Sequence, residues 1–498
     1  MELRFRSDTC HFLSAAIREV RNGEMTQEVR LSDGLPDIGR VLASWGQIIL
    51  RSKEWLEDQI SVSGGIMTWI LYAPEDGTQP RCVDTWIPFQ LKWELSGVAK
   101  DGPIRISPLL RFVDSRGVSA RKMMVRASIG AMAEALSTMS AEIYQPVELP
   151  EDIQVLQNTY PVRLFKEAGE KTFLLDEDLT IPAAFPEAER LLAYTIEPQL
   201  HEKRVAGDKV IMRGNANLHV IYRCAEGRIH AADLEIPISQ YAQLEDTYGT
   251  EAQADVKTGV TSLELIQNEG SQLRLKCGLV AQYVISDRYL AELTEDAYSP
   301  LRHVELHMAE AVLPSLLEQR TETIPVRQQL PGVTGEIADV TFLPDFPRQT
   351  RTGDKVMLDL PGQFQVLYYA PDGSLQGTTG RWEGNMQLSA DPASRIACFI
   401  CQQSGQAMAS AGELNITGQY ALQMQTTAVE TMQMVAGLEI GAELEKDPFR
   451  LSLILCRADG ESLWEIAKRC GSTVPDISRM NGLTERTQEN RMLIIPVK

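Results

Sequence analysis

Few residues in this 498-residue sequence are spaced for catalysis or metal binding. His303 and His307 could chelate a metal from one face of a helix, and they would also share a face in a strand. No third or fourth ligand accompanies them, so we expect no metal site. Cys398 and Cys401 form a CxxC motif, but a zinc site needs a second pair and a thioredoxin-type site needs a strand-to-helix turn. We therefore expect the eight cysteines to be reduced, mostly buried structural thiols.

Other familiar catalytic patterns are absent from the sequence. It contains no phosphate-binding GxxxxGK[ST] loop, no GxSxG nucleophile elbow and no HExxH zinc motif. The acidic run LLDEDL at 174–179 could offer paired carboxylates, but 68 acidic residues make such pairs common by chance. We interpret this run as a solvated loop. The sequence therefore predicts a protein that is not an enzyme and that needs no cofactor.

Composition and charge restrict the class of protein further. Hydrophobic residues make up 44% and charged residues 23%, as in globular proteins, and the length indicates three to four domains. The net charge of −20 argues against binding to nucleic acid or to anionic lipid. The sequence contains no run of about 18 apolar residues, so we expect no segment to span a membrane. Because the N-terminus lacks the apolar region of a secretory signal, we expect the chain to stay in the compartment where it is made.

Tryptophans concentrate in the first hundred residues, at positions 45, 55, 69, 86 and 93. Packing in a core or at a strand edge is the ordinary role of such residues. An exposed subset would instead suit docking of another protein, because tryptophan is enriched at the energetic centres of interfaces.

The sequence repeats itself with a period of about 150 residues. LPDIGRVL at 35–42 returns as FPEAERLL at 185–192, and both read Pro, acid, apolar, any, Arg, apolar, Leu. Each is followed by a glycine, an apolar run that ends in tyrosine, and a glycine turn. A third, more diverged copy carries the same features behind LPGVTGEI. The matching residues are Gly64, Tyr72 and Gly77, then Gly214, Tyr222 and Gly227, then Gly362, Tyr369 and Gly373.

Alternation of apolar and polar residues predicts antiparallel strands in these copies. QLRLKCGLVAQYVI at 272–285 and ELNITGQYALQ at 413–423 each place their apolar residues on one face. The D-G and E-G pairs after the tyrosine segments favour positive φ and mark hairpins. We predict a mainly β fold of tandem antiparallel sandwich-like or barrel-like repeats, followed by a small βααβ domain. The predicted boundaries are 1–150, 151–295 and 296–448 for the repeats, the last being diverged, and 449–498 for the small domain.

Residues 449–498, which we call the C-terminal module, follow a different pattern. Ser462 and Glu465 form an S-x-x-E capping box at the start of a helix that Gly471 ends. A second capped helix and a closing strand complete the βααβ order. Eight basic and six acidic residues give the module a charge of +2, which leaves −22 for the rest of the chain. We expect the module to fold on its own, with Trp464 as a structural residue of its first helix.

The C-terminal module resembles the LysM domain family. Its GESLWEIA at 460–467, NG at 481–482 and LIIP at 493–496 are similar to the usual LysM opening GDTLWxIA and to the end of that domain. LysM modules bind glycans that contain N-acetylglucosamine, in a shallow groove between two loops. The resemblance implies a groove for a peptidoglycan-type glycan, its lipid-linked precursor, or a protein partner. The implied groove residues are Gly460, Glu461, Ser462 and Leu463 on one side and Asn481, Gly482 and Leu483 on the other.

The upstream copies resemble the SPOCS domain of spore coat morphogenetic proteins, the SipL- and SpoVID-like family. The residues that carry this resemblance are Leu35–Ile38, Val41 and Leu42, then Gly64–Gly77, then Ile87–Phe89, echoed by Ile236–Ile238. The resemblance implies a non-enzymatic scaffold or adaptor of spore coat assembly. It also implies a place in the mother-cell cytoplasm at the forespore surface, and a partner in the SpoIVA-like coat morphogenetic ATPase. The alternative is a peptidoglycan-binding cell-wall protein or an accessory of a wall enzyme, which would require export.

Overall fold

A computed structural model of the chain describes residues 2–3, 5–56, 59–94, 102–331, 335–410, 413–445, 451–458, 460–483 and 492–498. The first strands are β1 (Glu2–Leu3), β2 (Phe5–Arg30), β3 (Ile38–Leu56), β4 (Gln59–Pro74), β5 (Arg81–Glu94), β6 (Ile104–Ser119) and β7 (Lys122–Pro146). The next are β8 (Gln154–Thr180), β9 (Ala188–Cys224), β10 (Ile229–Tyr248), β11 (Gln253–Gln267) and β12 (Gln272–Tyr298).

A third set of strands comprises β13 (Arg302–Pro331), β14 (Glu336–Pro344), β15 (Arg348–Thr352), β16 (Lys355–Tyr369), β17 (Leu375–Ser389), β18 (Arg395–Ser410) and β19 (Glu413–Glu443). The C-terminal module contains β20 (Leu453–Arg457), α1 (Leu463–Cys470), α2 (Val474–Asn481) and β21 (Met492–Pro496). Its order is therefore βααβ, as the sequence predicts.

The three sets of strands share one pairing pattern. In the first set β7 lies between β2 and β6, and β4 lies between β3 and β5. In the second set β12 lies between β8 and β11, while the long strand β9 bends at Gly207 and pairs with β10. In the third set β19 lies between β13 and β18, and β16 pairs with β14, β15 and β17. All these pairs are antiparallel.

Each set packs two layers of strands face to face, and we name the results the first, second and third sandwich. The strands of the second set belong to one eight-stranded sheet, which continues from β8 through β2 into β7 and β6 of the first set. Strand β5 illustrates how the sequence produces this layer: Ile87, Phe89, Leu91 and Trp93 are buried, and the residues between them are exposed. Period-two alternation gives a strand one apolar face, which must cover another sheet. Separate buried clusters fill the first, second and third sandwiches. The prediction of tandem antiparallel β-structure is confirmed. None of the described sheets closes into a barrel, so the repeats are sandwich-like.

The repeated tyrosines and glycines have a common structural role. Tyr72 and Tyr222 are completely buried, and each hydroxyl donates a hydrogen bond of 3.0 Å to the carbonyl of the repeated proline, Pro36 or Pro186. In the third sandwich, the Tyr369 hydroxyl instead accepts a hydrogen bond of 2.6 Å from an N–H of the second sandwich. The first two tyrosines therefore fix the turn between β2 and β3 and the turn between β8 and β9, which the repeated motif encodes.

The repeated glycines occupy two kinds of position. Turn residues Gly77, Gly227 and Gly373 have φ values of +71°, +82° and +80°, which confirms the predicted hairpin turns. At Gly64 and Gly214 a Cβ atom would lie 2.2 and 1.9 Å from a backbone carbonyl oxygen of the neighbouring strand segment. Only glycine allows so close an approach of two backbones.

The three sandwiches form one body around a shared apolar core. This core takes two adjacent inward positions from each of two paired strands in every sandwich: β2 and β7, β8 and β12, and β13 and β19. Its residues are Cys10, Phe12, Ala141 and Ile143, then Val162, Leu164, Ala291 and Leu293, then Ala311, Leu313, Met432 and Met434. The near-threefold correspondence indicates that the repeats close into a ring. Strand β1 reinforces this closure because it pairs with β19 of the third sandwich.

A second junction uses the repeated sequence motif. Leu42 and Leu192, which end the two clear copies of the motif, are buried in one cluster that spans the three sandwiches. Arg40 donates a hydrogen bond of 3.1 Å to the Leu375 carbonyl of the third sandwich. The rings of Trp69 and Tyr194 are 4.7 Å apart between the first and second sandwiches. The repeat motif therefore holds the copies together as well as shaping each one.

The structure tests three interpretations made from the sequence, which concern the acidic run, the tryptophans and the cysteines. The acidic run at 174–179 is part of β8, so the prediction of a loop is wrong, although its carboxylates are partly solvated and two of them pair with Arg274. Trp45, Trp69 and Trp93 are buried, whereas Trp86 is 36% exposed and faces the Arg51 guanidinium. Seven cysteines, including Cys398, are free thiols, five of them buried; the Cys401 side chain lies outside the described residues.

Candidate functional site

A cavity of about 1260 Å³ lies where the three sandwiches meet. It is lined mainly by β3 and β6 of the first sandwich, β9, β10 and β11 of the second, and β14 and β18 of the third. Ligand sites are often concave regions between domains, so we analysed the charged groups around this cavity in detail.

His219 connects two carboxylates on the cavity wall. Its Nδ1 lies 2.6 Å from Asp233, and its Nε2 lies 2.9 Å from Asp339 of the third sandwich. Burial alone would lower the pKa of His219, but Asp339 and Asp233 outweigh burial and raise the pKa to about 10. Trp45 of the first sandwich donates a further hydrogen bond of 2.9 Å to Asp339. The His219–Asp339 ion pair, together with the hydrogen bond from Trp45, therefore connects the three sandwiches.

A second ionic cluster is fully buried between the sandwiches. Arg105 donates to Glu134 and, at 2.7 Å, to Asp255 of the second sandwich. Gln423 of the third sandwich donates to Asp255 at 2.8 Å, and Arg18 pairs with Glu134 at 2.5 Å. Burial opposes ionisation of Glu134, but the two guanidinium groups outweigh it and lower its pKa to about 2. Each carboxylate is thus charged and paired at neutral pH.

Two other ionisable groups at the cavity lack such pairing. The Lys257 Nζ has no hydrogen-bond partner among the described residues and lies over the Phe399 ring, and burial holds its pKa well below the usual range. Burial raises the pKa of Glu197 to about 7. Neither group is joined to a base or a nucleophile in a catalytic arrangement, so we interpret the cavity charges as fastening the sandwiches together.

The two histidines considered as metal ligands do not form a site in the described part of the chain. His303 and His307 are exposed on β13, and His307 lies 3.4 Å from Glu439 on the neighbouring strand. Nowhere in the described ranges do three or more His, Cys, Asp or Glu side chains converge as metal ligands. Burial raises the pKa of the Cys398 thiol to about 11, which keeps it protonated and unreactive.

The first loop of the C-terminal module is shaped by a helix cap. Gly460 has a φ of +82°, and Ser462 follows as the N-cap of α1. The Ser462 hydroxyl accepts from the Glu465 N–H at 3.2 Å, and the Glu465 carboxylate accepts from the Ser462 N–H at 2.8 Å. The predicted capping box is therefore confirmed. Glu461 beside it pairs with Arg469 at 2.6 Å.

The second loop begins at the end of α2. Gly482 is the C-cap, with a φ of +61°, and its N–H donates to the Ser478 carbonyl. The Asn481 side chain accepts from the Ile494 N–H at 2.8 Å and donates to the Ile494 carbonyl at 2.7 Å. It also donates to the Ile477 carbonyl, so this one amide joins α2 to β21. Residues 484–491, which continue the loop in sequence, lie outside the described residues.

The module is docked on the end of the second sandwich through α1. The Trp464 indole donates to Asp296 at 2.8 Å, and its ring meets the Tyr298 ring edge-on with centroids 4.8 Å apart. Lys468 pairs with Asp296 at 2.8 Å. The Tyr298 hydroxyl donates to the Ser472 carbonyl at 3.0 Å, and Tyr298 is part of the module's own apolar cluster. Together these contacts form a latch between module and body.

Comparison with known protein families supports two parts of this architecture. A family model described as the SipL SPOCS domain matches residues 187–266, from the start of β9 almost to the end of β11. A LysM domain model matches residues 458–495, which contain both helices and most of β21. The chain carries a SPOCS domain and a LysM domain. No curated protein and no solved structure gives a significant match.

The SPOCS and LysM matches confirm the resemblances seen in the sequence. The first and third sandwiches share the strand pairing of the sandwich that contains the SPOCS match. SPOCS and LysM are non-catalytic binding domains, which is consistent with a protein that is not an enzyme. They fit a spore coat or cell-wall-binding adaptor. No helix among the described residues is long and apolar enough to cross a membrane.

Six of the seven residues predicted to line the LysM groove have structural roles as well, and the seventh, Glu461, makes an exposed pair with Arg469. Leu463 and Leu483, one from each loop, pack on the same apolar cluster of the module. Glycines 460 and 482 hold positive φ, Ser462 caps a helix, and Asn481 joins two elements. Their contact with a sugar or a partner stays a prediction.

Sequence analysis missed the residues at the junctions and in the latch. Arg105, Glu134 and Asp255 are scattered over more than 100 positions and carry no motif. Asp296 and Tyr298 lie next to a predicted boundary between two repeats, and no pattern in the sequence there indicates a contact with another domain. One signal was available: Arg40 and Leu42 recur as Arg190 and Leu192, and a repeated arginine in an acidic protein indicates a fixed partner.

Proposed function

We propose that this protein is a non-enzymatic adaptor of spore coat assembly. In this proposal the three sandwiches form a rigid acidic body that assembles with other coat proteins, and the LysM domain is a second binding unit. The observation that supports it most directly is the latch from Trp464 to Asp296 and Tyr298. A module held at a fixed place on a rigid body can present two bound partners in a defined geometry.

We further propose a partner and a location for this activity. The SPOCS domain match favours association with the spore coat, and we place the protein in the mother-cell cytoplasm at the forespore surface. The proposed protein partner is the SpoIVA-like coat morphogenetic ATPase. The proposed glycan ligand of the LysM groove contains N-acetylglucosamine, free or in a lipid-linked precursor.

A capture experiment with purified proteins tests the protein partner. The full chain is immobilised beside a variant that ends at residue 448, and each is offered the SpoIVA-like ATPase. If the LysM domain carries the interaction, the full chain retains the ATPase and the shortened chain does not. Because Tyr298 loses its contacts in the shortened chain, its thermal unfolding must first show that the body is folded. Equal retention would place the interface on the body, and no retention by either would contradict the proposed partner.

Titration with N-acetylglucosamine oligomers tests the groove separately. Backbone amide shifts of Gly460 and Gly482 should move if the two loops contact the sugar. Glu461→Lys is a suitable groove variant because the exposed pair with Arg469 contributes little to stability. Substitution at Gly482 is less suitable, since its φ of +61° strains any other residue. Unmoved amides at saturating sugar would exclude glycan binding and with it the alternative of a cell-wall-binding protein.

A further inference from the structure

The two-stranded sheet of the LysM domain is apolar on both faces. Its inner face, with Leu493 and Ile495, packs on the helices. Its outer face carries four exposed large apolar residues, and Leu451, two residues before β20, adds a fifth; we call this set the outer sheet face. They are Leu451 (70% exposed), Leu453 (52%), Leu455 (66%), Met492 (53%) and Ile494 (39%).

Strand register makes the outer sheet face continuous. Leu455 pairs with Ile494 across the two strands, Leu453 pairs with Pro496, and Met492 pairs with Arg457 at one end. A small antiparallel sheet normally has polar residues on its solvent side. A contiguous apolar patch on so small a domain is typical of a surface that binds another protein.

The latch leaves the outer sheet face exposed. The module contacts the body through α1 and the turn after it, by way of Trp464, Lys468 and Ser472. The sheet packs on the opposite side of the helices, and its outer residues keep the exposures given above. No described residue of the chain covers this face, so it is available to another molecule.

We propose that the occupant is a second copy of this chain, with two outer sheet faces packed against each other. The two identical faces are mainly aliphatic and therefore complement one another. Arg457, which the register places on this face beside Met492, lies at the end of β20, where its charge can stay at the edge of the contact. The charge distribution favours the same arrangement. The body carries −22, so two bodies repel, whereas the module carries +2 and is the one region where two copies can approach closely.

Two packed faces of this size bury on the order of 1,000 Å², which is the lower limit for specific interfaces. We therefore expect a dimer that dissociates at micromolar concentration rather than an obligate one. The effect of salt has a definite sign. Salt screens the repulsion between the acidic bodies and does not weaken apolar contacts, so the dimer should become tighter as ionic strength rises.

Sedimentation velocity of the full chain tests this proposal over a wide range of concentrations. The wild-type chain should pass from 55.5 kDa to twice that mass as its concentration rises, at lower concentration in higher salt. Leu455→Glu should weaken the dimer at least tenfold, because it places two carboxylates in the apolar interface. Leu455→Thr keeps a strand-forming residue and should weaken it less, which guards against a failure of Leu455→Glu to fold.

Leu290→Glu is the matched control. Leu290 is 50% exposed on β12 of the body, so the same change in charge and size occurs away from the module. It should leave the dimer intact. A chain that stays monomeric at every concentration, a dimer that ignores Leu455→Glu, an equal loss in both variants, or a dimer that salt dissociates would each overturn the proposal.

Discussion

At Glu197 the second sandwich has a carboxyl where the first has an amide. Gln47 lies 150 positions earlier in the repeat, and its side-chain oxygen accepts a hydrogen bond of 2.8 Å from the Ile196 N–H. Glu197 faces the central cavity, and burial raises its pKa to about 7. Burial outweighs the hydrogen bond with the Gln199 side chain, so the folded state favours the neutral form of this carboxyl, which makes it a source of instability at neutral pH.

Glu197→Gln should therefore stabilise the protein at neutral pH. The folded pKa lies above the unfolded value of about 4.3, so wild-type stability falls as the pH rises from about 4 to 7 and then levels off. The variant should lack this fall and gain about 1–2 kcal/mol at pH 8, a figure reduced for the water that the cavity admits. Denaturant unfolding at several pH values measures both quantities.

Glu235→Gln provides the control for this prediction. Glu235 lines the same cavity but is exposed, so the same substitution there should change stability at pH 8 by less than about 0.5 kcal/mol. Destabilisation by Glu197→Gln at pH 8 would contradict this prediction, because it would mean that the folded protein stabilises the ionised form of Glu197.

At the scale of elements, α1 of the LysM domain both builds the module and fastens it. Its inner side carries Ile466 and Ala467, which are completely buried in the module. Its outer side carries Trp464 and Lys468, which contact Asp296. One helix therefore contributes both to the small core of the module and to its contact with the body.

Trp464→Ala should release the module from the body. The half-buried indole loses its hydrogen bond to Asp296 and its ring contact with Tyr298, so we expect the module to lose about 2 kcal/mol of stability. The measurement is thermal unfolding of the full chain, with limited proteolysis to detect cleavage between body and module. The expected result is an early transition of the module.

Met480→Ala is the comparison for this variant. Met480 is 49% exposed on α2, so its truncation should cost less than about 0.5 kcal/mol and leave proteolysis unchanged. Equal effects of the two substitutions would mean that the latch contributes nothing. Independent folding of residues 449–498 remains a prediction. Tyr298 of the body contributes to the apolar cluster of the module, so the isolated module would lose part of that cluster.

At the scale of the whole molecule, the three sandwiches share cores that none of them can complete alone. The apolar core at the junction takes four residues from each sandwich, and the cluster of Arg105, Glu134 and Asp255 has members or partners in all three. A single sandwich would expose both. The body should therefore unfold as one cooperative unit, although chains of this length commonly unfold domain by domain.

Calorimetry of the full chain tests this cooperativity. We expect one transition for the body, with a van't Hoff enthalpy close to the calorimetric enthalpy. Arg105→Met leaves two buried carboxylates without their main partner and should cost about 3–5 kcal/mol, lowering that transition as a whole. Arg213→Met is the control, since Arg213 makes an exposed pair with Glu202 within the second sandwich. Three separate transitions, or a variant that melts only the first sandwich, would contradict a shared core.

The sequence alone determined the features that depend on local pattern. Period-two alternation specified antiparallel strands, D-G and E-G pairs specified turns such as Gly77, and the S-x-x-E box specified the start of α1. The 150-residue repeat was visible because local motifs recur at fixed spacing, and the LysM-like segment was visible from its own short motifs. Each of these signals arises from backbone and side-chain preferences within a few residues.

Only the tertiary structure decided how these parts meet. Nothing near Asp296 in sequence indicates that it binds Trp464 of another domain, and nothing in the β20 sequence indicates which face the helices cover. Alternation shows that a strand has an apolar face but does not show what packs on it. Contacts such as that of Trp464 with Asp296 form only when distant strands and domains come together, so the junction clusters and the latch appear only once the chain is folded.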